Sequence, residues 1–128
     1  MNAMEIDFNA ARPIYEQVIE EIKKEIVRGE INPGEKLPSQ RQMAKNIDVN
    51  PNTVQRAYRE MEARDLVETK RGRGTFIKDD DKVITEIKKE MAEHAVENYI
   101  EQMESLGFNK EEIFKKLEDK IERRNFDE

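Results

Sequence analysis

The sequence predicts a mostly α-helical chain with one short β-hairpin after its third helix and a two-helix tail beyond it. Apolar residues recur at helical spacing in five stretches, each opened or closed by Pro, Gly, Asn or Ser. One segment, Leu66 to Ile77, instead holds two short apolar runs around a glycine-containing basic tip, the pattern of a hairpin. The charge balance then changes abruptly at Asp79-Asp80-Asp81, which marks a linker or a helix start.

The elements follow from punctuation. Pro13 opens a helix carrying Tyr15, Val18, Ile19, Ile22 and Ile26 on one face. Gly29 closes it, at the place where a left-handed residue is usually needed. Asn32-Pro33-Gly34 is a turn. Ser39 with Gln42 three residues on is a capping-box pattern, so a helix starts there with Met43, Ala44 and Ile47 inward. After the break Asp48-Val49-Asn50-Pro51, Asn50 caps a third helix and Pro51 takes its first position. Val54, Ala57, Tyr58 and Met61 form its inner face, to about Arg64. Leu66–Thr69 and Thr75–Ile77 read as strands joined by Lys70-Arg71-Gly72-Arg73-Gly74. A long helix then runs to about Ser105 with Gly107 as its stop. Asn109 caps a last helix bearing Ile113, Phe114, Leu117 and Ile121, with fraying expected from about Arg124.

Composition narrows the function classes. The 128 residues contain no cysteine, which excludes a disulfide framework, a thiolate metal site and a cysteine nucleophile, and fits a reducing, cytoplasmic setting. Apolar runs are too short to span a membrane, and no signal peptide is visible; Met4 is a candidate start, with Met1 to Ala3 a leader. The net charge of −6 is unevenly spread. Residues 1–78 carry 14 Lys/Arg against 13 Asp/Glu, whereas residues 79–128 carry 9 against 16. Residues 36–78 alone carry 10 against 5, a net of +5. Two domains are therefore expected, 1–78 and 79–128. Affinity for DNA depends on where cations meet phosphates, not on total charge.

Two short helices joined by a tight turn form a helix-turn-helix, whose second helix can enter a DNA major groove. Here that helix carries Asn52, Gln55, Arg56 and Arg59 on a face distinct from its apolar one. Asn and Gln can pair bidentately with adenine, and Arg with guanine. Thr53 offers a hydroxyl near the helix start. Any surface helix has a polar face, but here no acidic residue interrupts it before Glu60. Lys70, Arg71 and Arg73, with Gly72 between them, make the hairpin a candidate wing for the minor groove or backbone, though a glycine turn with solubilising charges has the same composition. Arg41 in the first turn of the preceding helix suits a phosphate contact and a surface ion pair equally.

Taken together, the strings Pro13-Ile14-Tyr15-Glu16-Gln17, Pro33-Gly34-Glu35-Lys36-Leu37-Pro38-Ser39-Gln40-Arg41, Asn50-Pro51-Asn52-Thr53-Val54-Gln55-Arg56-Ala57-Tyr58 and Gly72-Arg73-Gly74-Thr75-Phe76 resemble the winged helix-turn-helix of GntR-family regulators over residues 11–78. The Asn-Pro-Asn-Thr-Val string is similar to that of the YtrA-like subfamily; Pro51 stands where many relatives carry a DNA-contacting side chain. The resemblance implies DNA contacts from Arg41, Asn52, Thr53, Gln55, Arg56 and the wing around Gly72. It further implies a homodimeric repressor that binds an inverted repeat in double-stranded DNA near its own promoter, in a transporter operon, and acts by occluding polymerase.

The tail is too short for the metabolite-binding domain that most GntR-like regulators carry. Ile84, Ile87, Met91, Ala95, Tyr99, Met103 and Leu106 recur near the helical period, widened by Val83, Ala92, Val96 and Ile100. A stripe this wide needs a partner, and a second copy of the tail is the expected one; folding back onto the chain's own winged domain is the alternative. Metals and cofactors are not expected. His94 stands alone, the Asp79–Asp81 run matches no complete calcium loop, and Met91 and Met103 suit a core. The sequence leaves a small-molecule effector open, with the small space between the domains or the dimer interface as its place, and no enzymatic constellation is present. The rival class is a winged-helix docking module that binds protein without reading DNA; there, partner binding would survive loss of Arg56 and the wing cations.

Overall fold

The computed structural model describes residues 6–127, with side chains to residue 125. The candidate start at Met4 lies outside the described residues. The elements are α1 (Ile14–Val27), α2 (Gln40–Ile47), α3 (Pro51–Ala63), β1 (Val67–Lys70), β2 (Gly74–Ile77), α4 (Asp81–Ser105) and α5 (Lys110–Asp127). The chain divides into two units, Met1–Lys88 and Lys89–Glu128, and the division falls inside α4 rather than at residue 79. No helix among the described residues is long and apolar enough to cross a membrane.

In the first unit α3 packs against α1, α2 and β1. Val18, Ile19, Ile22 and Ile26 of α1 meet a core completed by Met43, Ala44, Ile47, Val54, Ala57, Tyr58 and Met61, all buried. Full burial of each such aliphatic side chain contributes about 1.5–3 kcal/mol. Tyr15, expected on the inner face of α1, is only half-buried.

The helix ends are built locally. Beyond Val27, Gly29 takes φ 78° while its N–H donates to the Ile26 carbonyl at 3.1 Å and the Glu30 N–H to the Glu25 carbonyl at 2.9 Å. These are the paired bonds of a Schellman closure. Helix α3 ends the same way without glycine: Asp65 (φ 62°) donates to the Glu62 carbonyl and Leu66 to the Met61 carbonyl. The box at Ser39 is only half made. Ser39 Oγ accepts from the Gln42 N–H at 3.1 Å, but the Gln42 side chain turns to Asn46 instead of reaching back. At Asn109 the box closes reciprocally: Asn109 Oδ1 accepts from the Glu112 N–H at 2.9 Å, and Glu112 Oε1 from the Asn109 N–H at 3.1 Å. Helix α5, expected to fray from Arg124, continues to Asp127.

The hairpin pairs Val67 with Ile77, Glu68 with Phe76, Thr69 with Thr75 and Lys70 with Gly74. Each strand lies one residue off its expected start. A third segment joins them. Leu37 N–H donates to the Thr75 carbonyl at 2.8 Å and Ile77 N–H to the Glu35 carbonyl at 2.8 Å, so Glu35–Leu37 runs along the outer edge of β2. Covering that edge removes the unpaired backbone groups an isolated hairpin would expose.

Candidate nucleic-acid interface

Helix α3 owes its presentation to its cap. Asn50 Oδ1 accepts from the Asn52 N–H at 2.8 Å, Pro51 fills the first position, and the helix N-terminus is left open at the surface. Asn52, Gln55, Arg56 and Arg59 are all exposed, and Thr53 is half-buried. The opposite face holds Val54, Ala57 and Met61 with no exposure at all, so the helix cannot roll without opening the core. Arg41, in the first turn of α2, is exposed as well.

The acidic residues of α3 lie toward its C-terminal half and are occupied there. Glu60 meets Arg64 at 3.6 Å, Arg64 also meets Glu16 at 2.7 Å, and Glu62 accepts from the Thr69 hydroxyl. The Arg64 guanidinium holds the Glu16 carboxyl below its ordinary range, chiefly by hydrogen bonding. Among the described residues Arg41, Arg56, Arg59, Arg71 and Arg73 make no ion pair, so their charge stays available to an anionic ligand. Arg56 instead lies over the Tyr15 ring, 3.9 Å from its centroid.

At the wing, the Arg73 N–H donates to the Lys70 carbonyl at 2.8 Å and closes a turn through Arg71 and Gly72. Gly72 takes φ 75°, a conformation that side chains resist. Arg71, Gly72 and Arg73 are exposed at the tip. Lys70 lies farther back, its ammonium 4.7 Å from the Phe76 ring centroid. A Cβ on Gly74 would come 2.7 Å from Lys36 Cε, whereas around Gly72 the space is open. Lys36, exposed beside the wing, is a cation that sequence reasoning missed, because only the added edge segment places it there.

A basic recognition helix, a basic wing and a helix-turn-helix core have counterparts among known proteins. The profile described as bacterial regulatory proteins, gntR family, matches residues 14–77. The chain belongs to the GntR family. It is 44% identical to the HTH-type transcriptional regulator YhcF of Bacillus subtilis over 86% of this chain and 91% of that one. It is 47% identical to the transcriptional repressor YtrA of the same organism, over 62% of this chain and 61% of that one. Among solved structures, a GntR family transcriptional regulator from Listeria monocytogenes superposes with a TM-score of 0.81 at 38% identity, covering 88% of this chain and 98% of that one. The AraR DNA-binding domain in complex with operator ORX1 superposes with a TM-score of 0.52 at 27% identity, covering 58% of this chain and 94% of that one. GntR-family membership makes this chain a transcriptional regulator with a winged helix-turn-helix DNA-binding domain, in a family of regulators rather than enzymes.

Of the residues predicted for dimerisation, Met91, Ala95, Tyr99 and Met103 lie in the second unit. Ala95 is exposed, while Met91, Tyr99 and Met103 are half-buried, and the Tyr99 hydroxyl donates to the Ile113 carbonyl at 3.5 Å. Ile87 and Ile84 belong to the first unit, where Ile87 is buried and Ile84 half-buried. The large exposed apolar side chains are Val96 (57%), Leu106 (71%), Phe114 (67%), Leu117 (42%) and Ile121 (49%). Three of these lie on α5, at the spacing of one helical face. Among the described residues no group of three or more His, Cys, Asp or Glu could hold a metal ion.

Proposed function

We propose that this GntR-family regulator is a homodimeric repressor that binds an inverted-repeat operator at its own, transporter-linked promoter and excludes polymerase. The observation that carries the reading is the exposed, acid-free N-terminal half of α3, with Asn52, Gln55, Arg56 and Arg59 facing solvent beside a basic wing. In this reading residues 1–78 bind DNA. Asn52, Gln55 and Arg56 meet base edges, and Arg41, Thr53, Arg59, Lys70, Arg71, Gly72 and Arg73 meet the backbone or the minor groove.

Residues 79–128 pair two copies. A helical hairpin that leaves Phe114, Leu117 and Ile121 in water loses stabilisation that a second hairpin would supply. A two-fold pair of winged domains in turn matches a palindromic site. The repressor named YtrA supports repression as the mode of action. In this reading the regulator works in the cytoplasm, where its operator DNA lies.

The test is selection of binding sites from genomic fragments of the host at two salt concentrations. One enriched palindrome upstream of the chain's own gene is the expected result. Salt-sensitive binding with no enriched sequence would sink the specific-repressor reading and favour a docking module.

A further inference from the structure

Arg56 is exposed, yet it is not free to wander. Its guanidinium lies over Tyr15, a half-buried residue in the first turn of α1. An aromatic partner differs from a carboxylate partner in one decisive way. A carboxylate orients an arginine by occupying its N–H groups and cancelling its charge. A ring holds the face of the guanidinium, leaving the N–H fork and the full positive charge for another ligand. Glu16, the next residue along α1, would be the obvious competitor for Arg56. It is already engaged by Arg64 at 2.7 Å, two turns farther down α3. Helix α1 thus meets two arginines differently: Arg64, at the C-cap of α3, is ion-paired, whereas Arg56 keeps its charge unpaired among the described residues.

We infer that Tyr15, which touches no DNA in this scheme, is a specificity-determining positioning residue that presents Arg56 to one base pair of the operator. The inference rests on the reading of α3 as the base-reading helix. Ordering an arginine side chain on binding is otherwise an entropic loss, and the ring removes much of that loss beforehand.

The experiment selects binding sites for the full chain from a random-sequence duplex library. Competition binding then compares the selected duplex with one changed at the Arg56-dependent base pair. The proteins are wild type, Tyr15→Phe, Tyr15→Leu, Arg56→Ala and the double variant Tyr15→Leu/Arg56→Ala. Tyr15→Phe keeps the ring and should keep the base preference. Tyr15→Leu should lose preference at the same position as Arg56→Ala, by about two- to five-fold, the size of an exposed cation–π contact. The double variant should equal Arg56→Ala alone.

Additive losses, an unchanged preference in Tyr15→Leu, or a loss spread evenly over all sequences would each overturn the inference. Should Tyr15→Leu not fold, Tyr15→Met carries the same comparison. A wild-type chain that enriches no sequence would instead remove the base-reading function itself, and the inference with it.

Discussion

The hydroxyl of Tyr58, midway along α3, donates to the carbonyl of Pro38, just ahead of α2, at 2.7 Å. The phenol is 3% exposed, and burial pushes its pKa above the ordinary value. The bond ties α3 to the segment that leads into α2, across 20 residues of sequence. Tyr58→Phe should lower stability by about 1 kcal/mol, because the Pro38 carbonyl loses its partner and no replacement is supplied. Urea unfolding measures this as a shifted midpoint with unchanged slope; an unshifted midpoint would mean the bond contributes nothing net.

Base reading and backbone anchoring should separate by mutation. Arg56→Ala should weaken binding to the selected operator by about 1–3 kcal/mol and relax preference at one base position. Arg71→Ala and Arg73→Ala should instead weaken binding to every sequence and reduce the salt slope by about one each. Titrations at several salt concentrations decide the matter; an unaltered slope would show that the wing does not meet phosphate.

The apolar face of α5 predicts the behaviour of charge-inserting variants. If the proposed pairing holds, the wild-type chain sediments as a dimer, and Phe114→Glu and Leu117→Glu should shift it to monomer. They should also weaken binding to the full palindrome while leaving half-site binding close to wild type. Both side chains are solvent-exposed, so the fold of a single chain should tolerate the change. Undiminished dimer would assign the pairing surface to another face.

Glu25 supplies a pH prediction. It is 7% exposed, and among the described residues its Oε2 has no hydrogen-bond partner. Desolvation, with nearby Glu30 adding to it, raises its pKa. A carboxyl whose folded pKa is raised holds its proton longer when folded than when unfolded. Stability is therefore greatest below the unfolded pKa and falls as pH rises through the folded one. Glu25→Met should raise stability at neutral pH by about 1 kcal/mol and remove this decline. Melting curves from mildly acidic to neutral pH test it; a variant that keeps the wild-type slope would show that another group carries it.

Much of this molecule was legible because its signals are local. Pro51, Asn50, Gly29 and Asn109 mark helix ends by their own backbone chemistry, and the structure places those ends accordingly. The inner face of α3 was legible from periodicity alone. What escaped depends on residues distant in sequence. Glu35–Leu37 carries no strand pattern and becomes an edge only because β2 lies beside it. Tyr15 fits an apolar stripe, and only the arrival of Arg56 from α3 gives it a second task. In the tail, the stripe on α4 could be counted, but which of its members α5 covers is decided by packing. The exposed set therefore lies largely on Phe114, Leu117 and Ile121.

The edge segment Glu35–Leu37 has one more consequence. Leu37 is bonded to the wing through Thr75, and its neighbour Pro38 to the recognition helix through Tyr58. Two adjacent residues therefore act as a strut between the two parts that would grip a duplex. In the proposed binding mode that strut would hold the distance from reading helix to wing as a fixed gauge, so a duplex of the wrong groove width would have to deform to fit. Its stiffness would then become part of what is recognised, at base pairs no side chain touches.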